Sequence, residues 1–142
     1  MTVVDALEVV GGKAVIGADI TNSRELIEAI RRGIPVAAVE HLLKTERMTL
    51  AEIDDVILPR KTLEHRRKIG TLTAEQSDRL FRAARVIADA EETFGSKDKA
   101  ATWLRRPTTA LGGDKPIALL DTTEGAHQVE LLLVRIAHGI AA

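Results

Sequence analysis

Cysteine and tyrosine are absent from the 142 residues, and the remaining aromatics are one Trp and two Phe. Without cysteine there is no disulfide framework and no thiolate metal site, a composition that suits a reducing compartment. Aromatic side chains make up 2% of a chain that is 45% hydrophobic, so the core must be assembled from Leu, Ile, Val and Ala. That composition favours closely packed helices. No apolar run is long enough to span a bilayer, and the opening Met1-Thr2-Val3-Val4-Asp5 lacks the basic segment of a secretory signal. The expectation is a soluble, cytoplasmic protein with no membrane partner, forming one domain or two small ones.

What is present is unevenly distributed. The formal net charge is -1, yet Arg60, Lys61, Arg66, Arg67 and Lys68 crowd into one short stretch relieved only by Glu64. The overall balance argues against a nucleic-acid partner; the local cluster argues for one. Just upstream, Thr49 and Glu52 have the spacing of a capping box opening a short helix with Leu50 and Ile53 turned inward. Val56-Ile57-Leu58 follows as a connector, and Pro59 starts a second helix. Two short helices so closely joined are what a helix-turn-helix requires. The second would present Arg60, Lys61 and Thr62 for reading or positioning DNA, with His65 beside them and Arg66, Arg67 and Lys68 for phosphates. Leu63 would face the core. A solvated basic helix surface is the competing reading.

The chain is organised around the stretch Leu72 to Leu104. Thr73 and Gln76 form a second capping box, and Leu80, Phe81, Ala84, Ile87 and Phe94 recur at helical spacing up to the break at Gly95-Ser96. Ser96 can cap a shorter helix ending at Trp103-Leu104, with Trp103 as a core anchor. Leu111-Gly112-Gly113 bends the chain. Asp121 and Glu124 then signal a last helix, in which Gly125 allows close packing and which stops at Gly139. Before the basic segment, Asn22 or Ser23 caps a helix to about Arg32 with Leu26, Ile27 and Ile30 inward, Gly33 ends it, and Pro35 starts the next.

Other chemistry-bearing residues point to structure. Gly11, Gly12 and Gly17 lack the Gly-Lys-Ser/Thr ending of a phosphate loop, so residues 1–20 read as a flexible or domain-covering arm. His41 has no second ligand or base near it in sequence. Asp89 and Glu92 can share a helix face, but the sequence surrounds them with no cleft, and they read as solvated surface. His127 and His138 stand eleven residues apart, roughly three turns on one helix, too far to grip one metal ion. No metal site, cofactor or convergent catalytic set emerges, so an enzyme is the weakest of the functional classes.

The run Arg60 through Lys68, then Leu72-Thr73-Ala74-Glu75-Gln76-Ser77, Arg85-Val86, Ala90-Glu91-Glu92-Thr93-Phe94-Gly95, Trp103-Leu104, Ala110-Leu111-Gly112-Gly113 with Pro116, Leu119-Leu120-Asp121-Thr122, Gly125 and Ile136-Ala137-His138-Gly139 resembles the Xre/MbcA/ParS group of bacterial antitoxins. The resemblance spans roughly Pro59 to Ala142. It implies an all-α fold, with an Xre-like helix-turn-helix unit followed by a small helical toxin-binding domain. On that pattern residues 1–20 are a variable arm, 21–70 the DNA-binding region and 71–142 the toxin-binding domain.

The same resemblance implies two partners, operator DNA and a cognate RES-domain toxin that acts on NAD, whose active-site cleft the antitoxin blocks. NAD is then the toxin's substrate and no cofactor of this chain. Gly139, Ile140, Ala141 and Ala142 become the inhibitory tail, positioned by Arg135 and His138, while Phe94, Gly95, Trp103, Leu111, Gly112 and Gly113 define the fold that presents it. A homodimer within a toxin-antitoxin hetero-oligomer would address paired half-sites. The alternative is a stand-alone helix-turn-helix regulator with no toxin partner.

Overall fold

The computed structural model of the chain describes residues 3–139. In chain order its helices are α1 (Val3–Val9), α2 (Gly12–Ile16), α3 (Ser23–Arg32), α4 (Ala37–Lys44), α5 (Leu50–Val56), α6 (Arg60–Ile69), α7 (Ala74–Phe94) and α8 (Lys97–Leu104), then 3-10 turns at Thr109–Leu111 and Pro116–Asp121, and α9 (Thr123–Ala137). No β-strand occurs among the described residues, so the fold is all-α as expected.

Helix α7 is the centre. It is 21 residues long, buries Leu80, Phe81, Ala83, Ala84, Val86, Ile87, Ala88 and Ala90, and packs against α1, α3, α8 and α9. Four of the eight are Ala, whose small side chain lets several helices approach one axis. Both capping boxes form: Thr73 with Gln76 opens α7 and Thr49 with Glu52 opens α5. Each satisfies amide groups that have no partner within the helix. Asn22 caps α3 by accepting from the Glu25 amide at 2.9 Å. Ser96 does the same for α8 through the Lys99 amide at 3.2 Å.

Several local expectations change. Of the two readings of residues 1–20, a flexible or a domain-covering arm, the packing agrees with the second: α1 buries Ala6, Leu7 and Val9 and lies against α7. Pro35 does not start α4. It forms an isolated antiparallel bridge with Thr71, flanked by Val36 N–H donating to Gly70 O at 2.9 Å and Leu72 N–H to Ile34 O at 2.8 Å. Gly33 makes that pairing possible, since its φ is +97° and a Cβ there would sit 2.3 Å from the Leu72 oxygen. Buried Ser77 completes the junction, donating to Thr73 O and accepting from the Ile34 amide, at 2.7 and 2.8 Å. On α3 Leu26 and Ala29 are buried and Ile30 packs partly buried against the core, while Ile27 is 47% exposed.

At the far end, α9 is capped by Thr122, which accepts from the Gly125 amide at 2.9 Å, and Asp121 instead ends the second 3-10 turn. Arg82 on α7 grasps that turn, donating from Nε to Leu120 O at 3.1 Å and from Nη2 to Asp121 O at 2.9 Å. Trp103 is buried against Phe94, with ring centroids 5.4 Å apart, so it anchors the α7–α8 junction as expected. Gly95 ends α7 at φ +68°, and Gly112 and Gly113 turn the loop at φ +72° and +88°.

Candidate functional site

Helices α5 and α6 are joined by the three residues Ile57, Leu58 and Pro59. Ile57 and Leu58 are buried, and Leu63 is the one buried residue of α6, at 1% exposure. Pro59 takes the extended conformation of an N-cap, and the helix begins at Arg60. The Asp54 carboxylate on α5 accepts from the Arg60 amide at 2.8 Å. That bond satisfies one free amide of the helix start and ties α6 to α5.

With Leu63 inward, helical spacing turns Lys61, His65 and Lys68 outward together. These three and Arg60 are exposed, whereas Thr62 and Arg66 are half-buried. The basic block is therefore not uniform. Arg66 donates from Nε to Thr71 O at 2.7 Å and so ties the end of α6 to the connector. Arg67 donates from Nε to Glu40 Oε1 on α4 at 2.6 Å and from Nη1 to Glu64. The Glu40 hydrogen bond, with Glu64 adding to it, holds the Arg67 guanidinium above its ordinary value. The outward cations able to meet phosphates or base edges without first breaking an interaction are Arg60, Lys61 and Lys68, and the His65 side chain lies beside them.

Helix α9 supplies the second surface. Ala126, Val129, Leu132 and Leu133 are buried, while Leu131 and Val134 remain 45% and 50% exposed. His127, Arg135 and His138 are exposed on the same helix, and i, i+4, i+7 and i+11 spacing places His127, Leu131, Val134 and His138 along one stripe. His138 Nδ1 donates to Val134 O at 2.8 Å, and Gly139 follows, exposed, at φ +72°. Ile140, Ala141 and Ala142 lie outside the described residues.

The two surfaces share one framework. Arg105 at the end of α8 donates to both Glu52 oxygens, at 2.9 and 2.8 Å, and Arg47 makes a like pair with Glu91, at 2.8 and 3.0 Å. Sequence spacing hides both pairs, since their partners lie 53 and 44 residues apart. The Glu64–Arg67 contact had a visible i, i+3 signal; the Glu40 contact, 27 residues away, had none.

Residues set aside on sequence grounds find structural surroundings. His41 is half-buried, and burial, followed by Arg47, Lys44 and Lys97, lowers its pKa. Asp89 is not the solvated carboxylate expected: it is partly buried, and burial pushes its pKa up, with Glu92 adding to the rise. Among the described residues no group of three His, Asp or Glu could hold a metal ion, and no helix is long and apolar enough to cross a membrane.

Comparisons with known proteins meet this geometry. Residues 25–85 match the antitoxin Xre-like helix-turn-helix domain, and residues 89–139 match the antitoxin Xre/MbcA/ParS C-terminal toxin-binding domain. An antitoxin Xre from Pseudomonas putida is 42% identical over 97 residues, 67% of this chain and 61% of that protein. An antitoxin Xre from Yersinia enterocolitica is 34% identical over 128 residues, covering 88% of this chain and 86% of the relative. A Prs ADP-ribosylating antitoxin from a Sphingobium species is 35% identical over 80 residues, half of each chain. With a helix-turn-helix pair in the first matched region and the half-exposed α9 in the second, the chain belongs to the Xre/MbcA/ParS family of antitoxins.

Proposed function

We propose that the chain neutralises a cognate RES-domain toxin acting on NAD, and that it represses its own operon by binding operator DNA through α6 as a homodimer within a toxin-antitoxin hetero-oligomer. The observation that carries the toxin reading is the outward stripe of α9, within the region matched to a toxin-binding domain. Leu131 and Val134 supply apolar area for docking, and Arg135 and His138 flank it near the helix end. Gly139 leads into Ile140, Ala141 and Ala142, which enter the toxin's cleft and exclude its substrate. A helix already ordered before docking loses little conformational freedom. The Sphingobium relative, whose name joins antitoxin to ADP-ribosylation, supports an NAD-dependent chemistry for the partner.

The DNA reading rests on Arg60, Lys61, His65 and Lys68, outward on the second helix of the pair. Thr62 and Arg66 support that helix from its half-buried side. The proposed organisation keeps residues 1–20, 21–70 and 71–142 as arm, DNA-binding region and toxin-binding domain, with α7 common to the packing of all three.

The test is to co-express the chain with the RES-domain protein of its neighbouring gene, purify the two together and follow NAD loss. The expected result is a stable complex with suppressed NAD loss. Removal of Gly139 to Ala142 should restore NAD loss while association through α9 persists; Leu131→Asp with Val134→Asp should abolish association. Neutralisation that survives the truncation sinks the tail mechanism, and a partner that never associates sinks the toxin reading.

A further inference from the structure

Resting on the proposed DNA-binding role of α6, a further property follows from how its cations are partnered. Arg67 sits between two carboxylates, Glu40 on α4 and Glu64 one turn earlier on α6. Both acids are well exposed, at 44% and 68% of the side chain. We infer that Arg67 is withheld from DNA, and that Glu40 and Glu64 form a built-in limit on the sequence-independent affinity of α6.

For Arg67 to reach a phosphate it must leave both acids, which then confront a polyanion with nothing to offset them. Glu40, Arg67 and Glu64 together carry one net negative charge, whereas Arg67 alone would carry a positive one. Pairs this exposed contribute little to folding. Their influence begins when a duplex comes within a Debye length, about 8 Å at physiological salt. There, each cation that pairs with phosphate releases counterions and raises affinity for any sequence. Clamping one such cation lowers non-specific binding and leaves Arg60 and Lys61, at the helix start where base edges are met, untouched. The clamp therefore favours specificity over affinity.

The experiment titrates the 142-residue chain with a duplex of random sequence at several salt concentrations, for wild type, Glu40→Gln/Glu64→Gln, Arg67→Ala and Lys61→Ala. Thermal unfolding checks that each variant is folded. The double Gln variant should bind several-fold more tightly, with the slope of log K against log salt steeper by about 0.9 per copy bound, one phosphate gained. Arg67→Ala should bind more weakly with an unchanged slope, because it uncovers the acids without removing a phosphate contact. A slope shallower by about 0.9 in Arg67→Ala, together with an unaltered slope in the double Gln variant, overturns the clamp. Lys61→Ala separates this from failure of the underlying reading: its affinity and slope should fall, and if they do not, α6 is not the DNA surface and both statements are lost.

Discussion

Arg105 donates two hydrogen bonds to the Glu52 carboxylate, and Glu52 also receives the Thr49 amide. Burial works to raise the pKa of Glu52, but the Arg105 and Thr49 hydrogen bonds outweigh it and hold it below the ordinary glutamate range. A folded-state pKa below the unfolded one means stability that is full above the ordinary value and lost as pH falls through the depressed one. Glu52→Gln should therefore lower the unfolding free energy at neutral pH by about 1–2 kcal/mol, with the difference closing in acid. Asp89 has the opposite sign. Burial raises its pKa, so its favourable contribution is present below the unfolded value and lost as pH rises through the folded one. Asp89→Asn should raise the urea midpoint at neutral pH and match wild type below about pH 3. Midpoints that shift equally at both pH values would show that charge is not the cause in either case.

At the scale of elements, α9 depends on a close approach that only glycine permits. A Cβ on Gly125 would lie 2.0 Å from Leu119 O and 2.9 Å from Thr122 Oγ1, so Gly125→Ala must push the start of α9 off the preceding 3-10 turn. The expected loss is about 2–3 kcal/mol, read as a lowered thermal midpoint; an unchanged midpoint would mean that the turn yields without consequence. Three sequence signals whose partners sit within one turn hold, while a fourth, Asp121 with Glu124, fails because the adjacent Thr122 takes the cap of α9. Thr49 with Glu52, Thr73 with Gln76 and Ser96 with Lys99 all cap as their spacing suggests. Local chemistry misled where a distant partner decided the outcome. Pro35 looks like a helix start until Thr71 pairs with it, and Asp89 reads as solvated surface until the packing around α7 closes over it. Arg66 and Arg67 read with Lys68 as phosphate contacts in the sequence, and only their bonds to Thr71, Glu40 and Glu64 set them apart.

The whole molecule is joined across its two matched regions. Helix α7 runs from residue 74 to 94 and so crosses the gap between residues 85 and 89, and Arg105 with Glu52 adds a second tie between α8 and α5. The chain should unfold in one calorimetric transition with an enthalpy of about 100 kcal/mol near 60 °C; two resolved transitions would contradict this coupling. Its 21 residues make α7 a strut of roughly 30 Å. The connector after α6 is stitched to its first turn through Ile34 and Ser77, and the 3-10 turn that leads into α9 hangs from Arg82. On the proposed reading, two copies seated on an operator hold their toxins at a separation and rotation copied from the DNA. The operator then serves as a gauge for toxin placement. Inserting about half a helical turn between half-sites would carry one toxin to the other side of the duplex without touching either binding surface.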